Sequence, residues 1–199
     1  MPFATAGDIE IHYERMGAGP RLLFISGTGS DLRLRPNVLD GPFPKHFDMA
    51  AYDQRGLGQT SKPDRPYNMS QYAEDAVNLM DAIGWHSALV VGVSVGGMVA
   101  QELAIAHPHV VGGLVLACTW PGGAGGVSYP LHTLIGMTRE ERARHMIPIS
   151  DTRHDEAWAK ANPDTYEQLV AFAANDPYAD EPGREMGARR QLEARAAHD

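Results

Sequence analysis

Ala88-Leu89-Val90-Val91-Gly92-Val93-Ser94-Val95-Gly96-Gly97-Met98-Val99-Ala100 is the stretch that decides the fold. The apolar run Ala88 to Val91 reads as a strand, and Met98 to His107 reads as a helix. Between them stands G-x-S-x-G, a serine at the tip of a strand-to-helix turn. Such a turn strains its backbone and admits nothing bulky beside it. Gly92 and Gly96, which have no Cβ, supply that room. The serine Oγ is then held clear of the sheet. The first N–H groups of the new helix point toward any negative charge that develops there.

Outward from this turn, the chain alternates strands and helices. Ile9, Ile11 and Tyr13 alternate with Glu10, His12 and Glu14, a strand with one wet face. Leu22 to Ile25 is an apolar run that ends in the small-residue loop Ser26-Gly27-Thr28-Gly29-Ser30. Phe47 to Tyr52 forms another strand, closed by the loop Asp53 to Ser61. Ser70 is expected to cap a helix over 71–83 that Gly84 stops. Val110 to Cys118 is a further apolar strand, in which Cys118 is expected to pack as a small hydrophobe. Strands alternating with helices mean a mostly parallel sheet with helices on both faces. Loops 26–30, 53–61 and 92–97 then converge at the carboxyl ends of the strands, where active sites of such sheets lie.

After Trp120 the composition changes. Pro121 to Gly126 reads as a flexible linker, and the residues beyond it read as helical. Thr138-Arg139-Glu140-Glu141 is a capping box, and Asn162-Pro163-Asp164 is a second helix start. Pro182-Gly183 precedes a last polar helix. The expected organisation is a core over 1–120 and a helical lid over 121–199.

Composition bounds the function. A net charge of -8 over 199 residues and a pI near 5.5 argue against nucleic acid and against anionic membrane surfaces. Cys118 is the only cysteine, so no internal disulfide forms and a reducing, cytoplasmic location is expected. No signal peptide is expected, since Met1 to Asp8 carry neither a basic n-region nor an apolar h-region, and no apolar run reaches the length of a membrane span. No His, Cys or Asp cluster has metal-ligand spacing, and no glycine loop continues as a dinucleotide fingerprint, so no cofactor is expected.

Three motifs resemble the α/β-hydrolase superfamily, in particular its small esterases, 3-oxoadipate enol-lactonases and cofactor-free haloperoxidases. Asp53-Gln54-Arg55-Gly56-Leu57-Gly58 with Ser61 is similar to the D-x-R-G-x-G-x-S loop of that branch. Gly92 to Gly97 is similar to its nucleophile elbow. Ser26-Gly27-Thr28-Gly29 stands where the family has His-Gly-x-x, with serine in place of the histidine. The likeness runs from Ile9 to Trp120. It implies an acyl-enzyme on Ser94 formed from a small carboxylic ester or lactone. It implies an oxyanion hole from the N–H groups of Thr28 and Val95. It gives Gly27, Asp53, Arg55, Gly92 and Gly96 supporting roles, and it does not make Asp53 the triad acid.

The family's triad runs Ser, then Asp or Glu, then His, with the last two after later strands. Between 121 and 199 the apolar runs are Met146 to Ile149, interrupted by Pro148, and Leu169 to Ala174, which reads as helix. Neither is followed by a Gly-x-x-Asp loop. The nine histidines each read as exposed or locally satisfied. The expectation is a hydrolase truncated within its lid, lacking the last two core strands, the triad Asp and the triad His, and impaired for that reason. The alternative is a non-catalytic relic that binds a small apolar ligand. Val110 to Cys118 would then be a sheet edge, open to a second copy, a complementing C-terminal fragment or exchanged elements.

Overall fold

The computed structural model describes residues 2–125 and 129–198. Gly126 of the expected linker and Asp199 lie outside them.

Six strands form one sheet: β1 (Phe3–Ala6), β2 (Ile9–Met16), β3 (Arg21–Ile25), β4 (Asp48–Tyr52), β5 (Ala88–Val93) and β6 (Val111–Ala117), in the order β1-β2-β4-β3-β5-β6. β3 pairs in parallel with β4 and β5, and β5 in parallel with β6. β1 and β2 form an antiparallel hairpin, and β2 runs antiparallel to β4. This is a mostly parallel α/β sheet.

The period-2 alternation of the central strands divides two cores. Leu23 and Ile25 of β3, Ala50 and Tyr52 of β4 and Val90 of β5 enter the larger one. There they meet α1 (Met69–Ala82) and α2 (Val95–Ala106), whose buried residues include Tyr72, Leu79, Val99 and Leu103. Leu22, Phe24, Met49, Ala51 and Val91 point the other way and pack with Leu32 and Leu39. These strands are apolar throughout because both faces are covered.

Four details differ from the sequence reading. The short strand β1 was not anticipated, and it covers β2. His12, read on the wet face of that strand, is fully buried between Phe3 of β1 and Asp53 and Gln59 of loop 53–61. α1 starts at Met69, capped by Asn68 accepting from Gln71 N–H at 2.8 Å, while Ser70 Oγ donates to Glu102 at 2.6 Å instead. Gly123–Gly125 of the expected linker forms a 3₁₀ turn. Cys118 is exposed, with φ 50°, because β6 is the last strand of the sheet. Along β6, Leu114 and Leu116 are exposed by 39% and 42%, and Val115 by 56%. The edge is thus apolar and uncovered among the described residues.

The chain divides into two compact units, Met1–Pro130 with Pro182–Asp199, and Leu131–Glu181. The second holds α3 (Arg139–Ser150), α4 (Glu156–Ala161) and α5 (Pro163–Ala174). α3 begins with the Thr138–Glu141 capping box, and Met146 to Ile149 lies inside it with Pro148. Arg144 bridges α3 to α5 through Glu167 at 2.7 Å. The last helix, α6 (Arg184–Ala196), belongs to the first unit.

Candidate active site

Ser94 sits between β5 and α2 with φ 55° and ψ -120°, a conformation that a residue with a side chain adopts only under restraint. The restraint is visible. Ser94 N–H donates to Ala117 O at 2.9 Å, which holds the turn to the end of β6. Ser94 O accepts from Thr119 Oγ1 at 2.7 Å and from Gly97 N–H at 2.9 Å. The glycines allow close approach. A Cβ on Gly96 would run into the carbonyl oxygens of Ile25 and Ser26, and one on Gly92 would run into Gly96 O and Ala100. α2 can therefore start directly against the end of β3.

That contact brings loop 26–30 to the serine. A Cβ on Gly27 would lie 3.4 Å from Ser94 Cβ. Val95 is the first residue of α2, so its N–H has no intrahelical acceptor. Thr28 N–H has no acceptor among the described residues. Two main-chain donors thus stand on the two loops that flank Ser94.

Loop 53–61 braces both. Asp53 is fully buried, with Oδ1 accepting from Leu32 N–H at 2.8 Å and Oδ2 from Gln59 N–H at 2.9 Å. His12 Nδ1 lies 3.0 Å from the same Oδ2. These partners occupy the carboxylate, so Asp53 ties loop 26–33, loop 53–61 and β2 together. Arg55 makes a two-pronged ion pair with Asp75 of α1, at 2.7 and 2.9 Å, and reaches Asp8 at 3.0 Å. Burial pushes the Asp75 carboxyl up, against the pull of Arg55. Gln54 Nε2 donates to Ser26 O at 2.6 Å. The serine found at position 26 leaves this tie intact, since its main-chain oxygen takes the bond.

Ser94 Oγ makes no hydrogen bond to any described residue. The described histidine contacts lead elsewhere: His12 to Asp53, His107 to Glu74 at 2.7 Å, and His154 to Asp151 at 3.8 Å. His198 stacks edge-on against Trp120, with ring centroids 6.2 Å apart. Among the described residues no general base is hydrogen-bonded to the serine. No group of three or more His, Cys, Asp or Glu side chains among the described residues could hold a metal ion. No described helix is long and apolar enough to cross a membrane.

Sequence reasoning missed what α6 does here. Gln191 is fully buried and accepts from Gly29 N–H at 2.9 Å. Arg184 donates to Asp31 at 2.7 Å. Burial pushes the Asp31 carboxyl up, but hydrogen bonds from Arg33 and Arg184 outweigh it and hold the group at about 2. A carboxyl depressed in the folded state contributes stability above its unfolded value of 3.8, lost as pH falls through about 2. Urea midpoints should therefore drop between pH 4 and pH 2, and part of that drop should vanish in Arg184→Met. Equal pH profiles for the two proteins would exclude the Arg184 contribution.

The family described as alpha/beta hydrolase fold matches residues 20–196. The chain is 32% identical over 117 residues to 3-oxoadipate enol-lactonase 2 of Acinetobacter baylyi, covering 58% of this chain and 43% of that protein. It is 34% identical over 129 residues to 2-hydroxymuconate semialdehyde hydrolase of Pseudomonas sp., covering 63% and 44%. The chain thus spans less than half the length of these curated relatives. The crystal structure of the enol-lactonase from Burkholderia xenovorans superposes with a TM-score of 0.68 at 22% identity, over 100% of this chain and 74% of that one.

Proposed function

Because this chain belongs to the α/β-hydrolase fold family, we propose that its site is that of a serine hydrolase for a small carboxylic ester or lactone. The observation that carries this is Ser94, held at φ 55° on the elbow with loop 26–29 directly beside it. In this reading Ser94 Oγ loses its proton and attacks the carbonyl. The tetrahedral intermediate collapses to an acyl-enzyme by expelling the alcohol oxygen, which takes up the proton and in a lactone stays tethered to the acyl chain. Water then cleaves the acyl-enzyme. The N–H groups of Thr28 and Val95 take the developing oxyanion. Gly27, Gly92 and Gly96 give the close approach, and Asp53 and Arg55 hold the loop that supports it. The enol-lactonase relative supports the substrate class, and the second relative supports hydrolysis in general.

The described residues are impaired by themselves, because none of their histidines is hydrogen-bonded to Ser94. In this reading a partner at the exposed edge of β6, a second copy of the chain or a complementing C-terminal fragment, supplies the triad acid and base. The exposed Leu114, Val115 and Leu116 support this, as does the greater length of the solved relative. The unbonded Oγ of Ser94 also favours a second reading, a non-catalytic relic that binds a small apolar ligand.

Ester and lactone hydrolysis separates the two. The chain joined to a segment carrying two strands, an acid and a histidine should hydrolyse p-nitrophenyl acetate and a small lactone, and Ser94→Ala should abolish both activities. A completed sheet without Ser94-dependent turnover would leave the relic.

A further inference from the structure

α6 supplies no group to that chemistry, yet it penetrates to the loop that supplies one. Its buried face is Gly187, Gln191, Ala194 and Arg195, the one-turn spacing of a helix side. Gly187 lets it approach. A Cβ there would run into Gly56 O, and one on Gly56 would come within 3.1 Å of Gly187 Cα. This backbone-to-backbone contact drives the side chain one turn later, Gln191, into the core against loop 26–30.

The bonds made there have a definite order along the loop. Gln54 Nε2 holds Ser26 O at 2.6 Å, which fixes the peptide unit between residues 26 and 27. Gln191 Oε1 holds Gly29 N–H at 2.9 Å, which fixes the unit between 28 and 29. The unit between them carries Thr28 N–H and is held by neither. The two amides face each other, Gln191 Nε2 to Gln54 Oε1, at the long distance of 3.5 Å. Their orientations are set by chemistry, since Gly29 N–H requires an oxygen and Ser26 O requires a donor.

We propose that Gln191 is a positioning residue which, with Gln54, clamps the peptide units on either side of the one that carries Thr28 N–H, so that this N–H stays aimed at the substrate oxygen. The proposal rests on the assignment of Thr28 to the oxyanion hole. A planar peptide unit turns as a block. Fixing both neighbours leaves the middle unit little freedom, and a pre-aimed donor needs no reorganisation when charge appears. Gly29, at φ 69°, lies on the loop and has no Cβ to hold it in place, so the clamp restrains a segment that glycine would otherwise leave loose.

The test uses Gln191→Met, which keeps length and burial but loses the bonds, and Gln191→Glu, which keeps an oxygen facing Gly29. Amide hydrogen exchange at Gly29 and Thr28 is measured in both, with α6 as internal control. In Gln191→Met the Gly29 amide should exchange tenfold or more faster while α6 keeps its protection. Gln191→Glu should retain most of the protection. Unchanged exchange at Gly29 in Gln191→Met would overturn the clamp. If Gln191→Met does not fold, Gln54→Met, which releases Ser26 O, tests the other half of the clamp through kcat of the completed protein, where an unchanged kcat would overturn the positioning role. The second readout is hydrolysis of p-nitrophenyl acetate by the completed protein. There Gln191→Met should lower kcat about tenfold or more, with KM little changed. Faster exchange with unchanged kcat would overturn the positioning role. Absence of Ser94-dependent hydrolysis in the unsubstituted protein would instead defeat the hydrolase reading. The exchange rates separate that failure from failure of the clamp, because they report the loop without any reaction.

Discussion

Ester hydrolysis by the described residues alone is expected to lie about 10⁶-fold below that of the same protein supplied with a triad acid and histidine. The magnitude follows from the groups present. A serine hydroxyl without a base is a poor nucleophile at neutral pH, and Ser94 Oγ has no described partner. Main-chain donors and substrate binding alone leave roughly 10³–10⁴ over water in comparable sites. Two consequences distinguish a missing base from simple inactivity. Ser94→Ala should leave the weak residual rate of the chain alone nearly unchanged, since that rate does not pass through the serine. In the completed protein the same replacement should cost about 10⁶, because serine and base act as one unit. Initial rates with p-nitrophenyl acetate for these proteins decide the matter. A large loss in Ser94→Ala of the chain alone would mean that Ser94 already has a base.

The second large effect is on stability. Asp75→Leu should destabilise the fold by about 3–5 kcal/mol, a large share of the roughly 5–15 kcal/mol typical of a domain. Arg55 is 3% exposed and cannot shed its proton, so removal of Asp75 leaves a buried cation. Asp8 remains as a partner but is half exposed, which sets the loss toward the lower end. Arg55→Met should cost less, because Asp75 can take up a proton. Its carboxyl is already pushed up by burial. A group raised in the folded state stabilises most at low pH and loses that contribution as pH rises, so Arg55→Met should be least destabilised in acid. Urea unfolding of both variants near pH 5 and pH 8 checks the order and the sign. Equal losses in the two, with no pH dependence, would mean that the pair is solvated rather than buried.

The sheet was legible because its central strands β3, β4 and β5 are apolar on both faces, β2 alternates with a period of two, and the loops at the carboxyl ends spell out their geometry in glycines. The close approach of α2 to β3 is written in Gly92 and Gly96. β1 escaped notice because a strand of Phe3 to Ala6 is too short to show a period. The burial of His12 was hidden for the same reason. It depends on Phe3 of β1 and on Asp53 and Gln59 of loop 53–61, long-range contacts with no local trace. α6 was legible as a helix but not as part of the core unit. Its buried face is glycine, glutamine, alanine and arginine, which hydrophobic periodicity does not detect. The signal that would have found it is Gly187 followed one turn later by an amide, the spelling of a helix that packs backbone to backbone. Cys118 was misplaced because an apolar strand looks the same in sequence whether a neighbour covers it or not.

The most direct test of the central claim, an intact elbow at Ser94 without its base, is intact mass after treatment with a fluorophosphonate serine probe. The chain alone is expected to stay at 21.6 kDa over minutes. The completed protein is expected to gain one adduct, which Ser94→Ala removes. Rapid, stoichiometric labelling of Ser94 on the chain alone would contradict the claim.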